Sequence, residues 1–142
     1  MSDCVFCDII AGGSPASFVY QDEAAVAFMD ISTLNAGQVV VIPRFHAPYL
    51  KDLDEATGAA FFTATQRVCN ALRHSGITMD ALNLFLADGV EAGQEIFHVH
   101  FLVIPRLKTD DMKVNGTWVA PSRGDLDVQA GLIRTACASL YP

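Results

Sequence analysis

The fold is decided by residues 93–106, which read GQEIFHVHFLVIPR. In a β-strand successive side chains point to opposite faces, so Phe97, Val99, Phe101 and Val103 share one face and the even-numbered residues share the other. The alternation predicts a strand over 97–104, with apolar side chains on one face and the imidazoles of His98 and His100 side by side on the other. Such a pair favours a shared chemical task, and the alternative is two ordinary half-exposed strand histidines.

The segments outside this stretch predict the remaining elements. Short strands are predicted over 18–21, 25–29, 38–42 and 81–87. Asp54 has the residue type of a helix N-cap, and apolar residues at helical spacing predict one long amphipathic helix over 55–75. A carboxyl-terminal helix is predicted over 125–140. Because consecutive short strands with one long helix between them favour antiparallel pairing, we expect an α+β fold with a five-stranded antiparallel sheet.

Composition sets outer limits on function. The chain has 142 residues, of which 51% are hydrophobic and 18% charged, and its formal net charge is -7. These values predict one folded domain over residues 1–142 and exclude a disordered polyelectrolyte. Without a cationic surface, binding to polymeric nucleic acid or to an anionic membrane is not expected, whereas a small anionic ligand is compatible.

The amino terminus and the cysteines indicate a compartment. Asp3 and Asp8 stand where a secretory signal carries basic residues, and no apolar run reaches the roughly 18 residues of a membrane span. We therefore expect a cytoplasmic protein, whose cysteines serve as thiols or metal ligands rather than as disulfides. Cys69 and Cys137 fall in predicted helices and are interpreted as packing residues.

Cys4 and Cys7 form a Cys-x-x-Cys pair. Together with two of the clustered histidines, the pair has the composition of a closed Cys2His2 zinc site. A redox pair and two incidental thiols are the alternatives. The redox alternative needs a thioredoxin-like βαβ context, which the predicted sheet does not provide.

Four blocks of the sequence, taken in order and spacing, resemble the histidine triad (HIT) superfamily. Residues 93–106 resemble its signature, and residues 40–46, VVIPRFH, resemble its third strand. Residues 4–10, CVFCDII, and 27–31, AFMDI, resemble its amino-terminal and ribose-binding blocks. The resemblance covers roughly residues 4–106 and implies a HIT-like fold.

The resemblance also implies roles for individual residues. Family members with the cysteine pair hold a structural zinc ion, and the matching ligands here are Cys4, Cys7, His46 and His98. The middle histidine of the motif, His100, is then the nucleophile that attacks the α-phosphorus of a purine nucleotide and is transiently nucleotidylated. Imidazole suits this task because its pKa of about 6.5 leaves a neutral fraction near neutral pH. Its other ring nitrogen is expected to donate to a backbone carbonyl and thereby fix the tautomer.

Further implied contacts concern the nucleotide itself. Asp30 would bind the ribose hydroxyls, and Gln94 would contact phosphate as part of the catalytic group. The apolar slot for the base would be formed by Phe6, Ile9, Phe28 and Ile31. The resemblance further implies a homodimer in which the long helix and a strand of each subunit form the interface.

This sequence departs from the family pattern at the phosphate end of the site. Leu102 replaces the third histidine of the motif, and Gln38 replaces the histidine that usually opens the third strand. Glu95 stands at a usual serine, and Ala87 followed by Asp88 stands at a usual asparagine. Since leucine cannot hydrogen-bond and a carboxylate repels a phosphoryl group, phosphate affinity is expected to be weakened.

Three functions are compatible with these departures. The first is an active nucleotidyl hydrolase or transferase in which Gln38, Gln94 and backbone amides supply the oxyanion contacts. The second is a recruited enzyme with another substrate, in which His100 and Glu95, with Asp88, form a different acid/base or metal-binding constellation. The third is a nucleotide-binding regulatory protein without turnover.

Overall fold

The computed structural model describes residues 4–141, so the part of the amino-terminal expectation that rests on Asp3 lies outside the described residues. The described chain forms three α-helices, α1 (Val5–Ala11), α2 (Glu55–His74) and α3 (Arg123–Leu140). Its strands are β1 (Phe18–Gln21), β2 (Ala25–Met29), β3 (Val39–Pro43), β4 (Ala81–Phe85) and β5 (Phe101–Arg106). They form one antiparallel sheet in the order β1-β2-β3-β5-β4. The predicted α+β fold is thus confirmed.

Strand β5 corrects one prediction. The strand begins at Phe101 and not at Phe97, so His98 and His100 lie in the segment that precedes it. This segment bonds elsewhere: the amide of His98 donates to Ile96 O at 2.9 Å, and the amide of Val99 donates to Ala47 O at 2.7 Å. The predicted facing is nevertheless correct, because both imidazoles contact the ring of Phe6 while Val99 is buried in the core on the other side of the sheet.

Each face of the sheet has its own apolar core. On one face α2 buries Phe61, Val68 and Leu72 against alternate strand residues such as Val41 and Val103. Each such side chain contributes about 1.5–3 kcal/mol on burial. Helix α2 begins as predicted, because the Asp54 carboxylate accepts the amide of Thr57 at 2.8 Å.

Helix α1 covers the other face. The sequence predicted only a short apolar turn there, but residues 5–11 complete two turns of helix that end at Gly12, whose φ of 81° lies in the left-handed region that favours glycine. Phe6 and Ile9 are buried against Phe28 and the other residues of a second core. Packing against the sheet accounts for a helix too short to be stable alone.

A cluster of hydrogen-bonded polar side chains lies at the end of β5. Arg106 donates to both carboxylate oxygens of Asp110, the shortest of these distances being 2.5 Å, and Asp110 also accepts the amide of Leu107 at 2.8 Å and Asn35 Nδ2 at 2.9 Å. The hydrogen bond from Arg106 holds the pKa of the Asp110 carboxyl well below its ordinary value. The ionised carboxylate is therefore part of the folded structure.

Two compact units divide the chain, residues 1–112 and residues 113–142. The second contains α3, which starts two residues earlier than predicted, with the hydroxyl of Ser122 accepting the amide of Asp125 at 3.1 Å. The single-domain expectation stays a prediction. Within residues 4–141, none of the helices has the length and apolar character needed to cross a membrane.

Candidate functional site

The two cysteines of the amino-terminal pair lie on one side of α1. Cys4 is the residue that precedes the helix and Cys7 lies in its first turn, and residues three apart on a helix are neighbours on its surface. Both thiols are half-buried. The Cys-x-x-Cys spacing therefore brings two sulfur atoms to the edge of the sheet face that carries the histidines.

Two imidazoles meet these sulfur atoms. His46 follows β3, and its Nδ1 lies 3.3 Å from Cys7 Sγ. His98 Nδ1 lies 3.5 Å from Cys4 Sγ, 3.6 Å from Cys7 Sγ and 3.4 Å from His46 Nδ1. In a tetrahedral zinc site with Zn–S bonds of about 2.3 Å and Zn–N bonds of about 2.05 Å, the S–N edges are about 3.5 Å and the N–N edge is about 3.3 Å. Three S–N distances and the N–N distance match these edges, and all four donor atoms lie within 4.8 Å of one another, so the residues present fit a zinc ion.

Hydrogen bonding directs His98 toward the cluster. Its Nε2 lies 2.8 Å from Pro43 O, and because a carbonyl only accepts, Nε2 carries the proton and Nδ1 keeps the lone pair. The side chain is fully buried. Burial lowers the pKa of His98 below its ordinary value, and the neighbouring His46 and His100 lower it further. A neutral imidazole with its lone pair on Nδ1 is the form that binds a metal.

His100 is oriented by the residue two positions before it. Its Nδ1 lies 2.8 Å from His98 O and so donates to that carbonyl, which leaves the lone pair on Nε2. The predicted bond to a backbone carbonyl is thus confirmed. The ring packs edge-on against Phe6 with 5.2 Å between centroids. The ring of His100 is thus oriented with Nδ1 toward the backbone and Nε2 away from it.

Two cavities meet at Asp30. The larger, about 470 Å³, lies between α1 and β2 and is lined by Ile9, Phe28 and Ile31 among other apolar residues. The smaller, about 310 Å³, is lined by Phe6 and His100. Asp30 and Val40 line both. Of the four residues predicted to form the base slot, three line the larger cavity and Phe6 lines the smaller one.

The carboxylate of Asp30 is held by two donors. The amide of Ser32 donates to its Oδ1 at 3.0 Å, and Gln38 Nε2 donates to its Oδ2 at 2.7 Å. Gln38 also donates to Ser32 O at 3.2 Å and accepts the amide of Leu34 at 3.1 Å. Both amide protons of this buried side chain are therefore engaged, and its observed contacts position Asp30. A contact between Gln38 and phosphate stays a prediction.

Gln94 has a similar arrangement. Its Nε2 donates to Pro48 O at 2.7 Å and to Ile96 O at 3.2 Å, and its Oε1 accepts the amide of Gly89 at 2.8 Å. The side chain is buried and ties the loop before the histidines to the loop after β3. Its predicted part in catalysis stays a prediction, and its observed contacts shape the loop.

The departures from the family pattern lie in two places. Glu95 and Leu102 line the smaller cavity with His100. Asp88 does not line it and instead accepts the amide of Leu50 at 3.0 Å. Among residues 4–141, the one group of three or more histidine, cysteine or acidic side chains placed to hold a metal is the Cys2His2 cluster. The alternative in which His100, Glu95 and Asp88 together bind a metal is therefore not found among the described residues, and the acid/base form of that alternative stays a prediction.

Sequence reasoning missed Ser32 and did not identify which backbone carbonyls orient the two histidines. Ser32, which lines the smaller cavity and holds Asp30, had the signal of a serine two residues after an aspartate, a common turn pattern. The carbonyls of Pro43 and His98, which fix the histidine tautomers, have no side-chain signal. The sequence does not show which backbone carbonyls accept these hydrogen bonds; they can be identified only when the positions of the strand ends are known.

Fold and site together define a class of protein: an α+β sheet that carries a Cys2His2 donor set and, beside it, an oriented histidine at the end of an apolar cavity. The chain belongs to the HIT family, because the HIT domain matches residues 11–109.

Relatives agree with this assignment. An uncharacterized HIT-like protein of Borreliella burgdorferi is 39% identical over 111 residues, which are 78% of this chain and 80% of that protein. Adenylylsulfatase HINT3 of Arabidopsis thaliana is 36% identical over 110 residues, 77% of this chain and 55% of that protein.

Solved structures support the fold. A HIT family member from Bacillus subtilis superposes with a TM-score of 0.89 at 31% identity, over 94% of this chain and 96% of that one. A Zn-bound histidine triad family protein from Mycobacterium smegmatis has a TM-score of 0.73 at 35% identity, over 97% and 95% of the two chains.

Proposed function

We propose that this chain is a nucleotide hydrolase or transferase that acts at the α-phosphate of a purine nucleotide through a nucleotidyl-His100 intermediate. The observation that carries the proposal is the bond from His100 Nδ1 to His98 O, which leaves Nε2 as the nucleophilic atom. His100 lies at a cavity that it shares with Asp30, and Asp30 also lines the larger apolar cavity. A base in the larger cavity and a ribose at Asp30 would bring the α-phosphate toward His100.

The proposed reaction has two displacements. In the first, the lone pair of His100 Nε2 attacks the α-phosphorus, a P–N bond forms, and the bond to the leaving group breaks. The leaving atom keeps the bonding pair and takes a proton from solvent. In the second, a water oxygen attacks the phosphorus and loses a proton to solvent, the P–N bond breaks with its electron pair returning to His100 Nε2, and the nucleoside monophosphate is released. In a transferase another acceptor replaces water.

Binding contacts are proposed for the residues that line the cavities. Asp30 accepts the ribose hydroxyls with the lone pairs that Ser32 and Gln38 leave available. Phe6, Ile9, Phe28 and Ile31 contact the base. Gln94 keeps the loop at the catalytic end in place, and Glu95 faces the leaving group.

We further propose that Cys4, Cys7, His46 and His98 hold one structural zinc ion. The edges of the donor set support this, as does the similarity to the Zn-bound structure from Mycobacterium smegmatis. Four protein ligands close the coordination sphere, so the ion would fix α1 and the loops against the sheet. The proposed reaction does not pass through it.

An adenylylsulfatase among the relatives supports chemistry at a nucleotide phosphorus.

A nucleotide-binding protein without turnover is the second candidate, favoured by one observation: Leu102 and the engaged amides of Gln38 and Gln94 replace free donors around His100. The second candidate predicts binding of a nucleoside monophosphate and no hydrolysis.

A homodimer is proposed as well, in a cytoplasmic setting. Strand β4 is an edge strand of the sheet, and its Leu84 and Phe85 expose 41% and 44% of their surface. Phe62 on α2 is 53% exposed. Apolar side chains on an edge strand and on the long helix favour burial against a second copy, and light scattering of the purified protein tests this.

Hydrolysis of adenosine 5′-phosphoramidate tests the proposed activity. Wild-type protein is expected to release AMP, and His100→Ala is expected to lower the rate at least about 1,000-fold because the nucleophile is removed. His74→Ala, on the exposed end of α2, is the matched control. No hydrolysis by the wild type at high protein concentration would refute the enzyme, and AMP binding by calorimetry would then favour the second candidate.

A further inference from the structure

The charges of the side chains that line the smaller cavity restrict which leaving groups a substrate can carry. Among residues 4–141, the side chains that line the two cavities include two carboxylates and neither lysine nor arginine. One carboxylate is Asp30, which is engaged by Ser32 and Gln38 and lies where the two cavities meet. The other is Glu95, at the catalytic end with His100. A leaving group with further phosphates would therefore meet an anion and no cationic side chain.

Glu95 differs from Asp30 in its surroundings. Within the part of the chain that the structure describes, its carboxylate makes no hydrogen bond and no ion pair. Its backbone is nevertheless fixed from both sides. Gln94, which precedes it, is buried and bonded to three backbone groups, and Ile96, which follows it, packs against the core around Phe6. The Glu95 side chain itself is exposed, so it adds a solvated negative charge to the lining of the smaller cavity, on a backbone that is fixed.

We propose that Glu95 is a specificity-determining residue that selects nucleoside 5′-phosphoramidates whose leaving amine carries a second, positively charged group. The inference rests on the proposed function of the same cavity. An α-phosphoramidate monoanion adds one negative charge near His100, and an ammonium on the leaving group is attracted by Glu95 and halves the net negative charge of the two anions. A polyphosphate leaving group adds charge of the same sign as Glu95 and is disfavoured.

The reaction leaves the distal ammonium unchanged. The His100 Nε2 lone pair forms the new P–N bond, the P–N bond to the amine breaks, and the amine nitrogen keeps that pair and takes one proton from solvent. Water then releases the nucleoside monophosphate from His100. Neither an oxidant nor a second substrate is needed.

Two substrates of equal size test the proposal: adenosine 5′-phosphoramidates of 1,3-diaminopropane and of n-butylamine. The first ends in an ammonium and the second in a methyl group. For the wild type we expect kcat/KM to be about five- to tenfold higher for the ammonium compound, the size of one partly solvated charge pair. In Glu95→Gln the ratio is expected to fall to about one, and in Glu95→Lys below one.

Glu91→Gln is the matched control, because Glu91 is an exposed acid four residues earlier that lines neither cavity, and it should keep the wild-type ratio. The preference should also weaken as salt is raised from 50 to 500 mM, about a threefold decrease in screening length. An equal ratio in the wild type, or an unchanged ratio in Glu95→Gln, would overturn the proposal. If neither compound is hydrolysed, the proposed function fails by itself, and the same two ratios measured as Kd by calorimetry decide the role of Glu95.

Discussion

The two ends of one sheet face differ in how closely they match the family pattern. At the metal end, all four donors of the Cys2His2 set converge, and the central one, His98, is fully buried. At the catalytic end, His100 remains, while Gln38, Leu102 and Glu95 occupy positions where the family resemblance implies other residues. The ring of Phe6 contacts both ends, with centroids 5.9 Å from His98 and 5.2 Å from His100.

Coordination geometry explains the difference. A closed tetrahedral site needs every ligand at a fixed distance, and loss of one leaves a charged ion exposed. A cavity that binds an organic ligand distributes its contacts over many residues, so one donor can be replaced by a side chain that holds a neighbour in place. Gln38 is such a replacement, because its amide holds Asp30. Changes at the metal end should therefore affect the whole fold, and changes at the catalytic end should affect kinetics.

Cys4→Ser is expected to give the largest effect. Metal analysis should find about one zinc ion per chain in the wild type and nearly none in the variant. At a free zinc concentration a thousandfold above Kd, the lost binding lowers the free energy of unfolding by about 4 kcal/mol. Thermal unfolding followed by circular dichroism measures this.

Cys137→Ser is the matched control for this change, since Cys137 is exposed and lies on α3. It should keep both the metal content and the Tm of the wild type. If a chelator does not change the Tm of the wild-type protein, then α1 is stabilised by packing alone and not by a metal ion.

Gln38→Leu should have an intermediate effect that is kinetic. The variant removes the donor to Asp30 Oδ2, so KM for a ribonucleotide substrate should rise about tenfold, the worth of one charge-assisted hydrogen bond. The kcat should change little, because the bond that orients His100 is unaffected. The preference for ribose over 2′-deoxyribose should shrink, which a general loss of packing would not produce. Gln66→Leu, on the exposed side of α2, serves as the comparison.

Asp110→Asn should have the smallest effect on metal binding and catalysis, and it should lower the stability of the fold by a measurable amount. The carboxylate has a depressed pKa in the folded state, so its stabilisation is present above the ordinary pKa of about 3.9 and is lost as the pH falls below it. At pH 7 the variant should lose on the order of 5 °C in Tm. The difference from the wild type should shrink toward pH 3. A constant difference would mean that Asp110 acts through shape alone.

Periodicity in the sequence was sufficient to predict the sheet, helix α2 and the face of the sheet that His98 and His100 share. It failed at the start of β5, because residues 97–100 have the composition of a strand but bond to Ile96 and Ala47. Tertiary partners decide such a case, and composition does not record them. Helix α1 was missed for a related reason, since seven residues are too few for a helical period and depend on the sheet beneath them.

The candidate site was predicted in its residues and less well in their contacts. The resemblance named four side chains that the structure brings together in one Cys2His2 cluster, and the role of His100 as nucleophile stays a prediction. The hydrogen bonds of the Gln38 and Gln94 amides were not predicted, because the sequence does not show whether a glutamine side chain contacts a ligand or another group of the protein.

His98 joins the two ends through one residue. Its ring lies among the metal donors, while its own carbonyl oxygen accepts the proton of His100. The peptide after residue 98 therefore joins the ring that contacts the cysteines to the carbonyl that orients His100, and a rotation of that peptide would alter both contacts. An insertion at residue 99 would separate these two contacts although neither imidazole is removed.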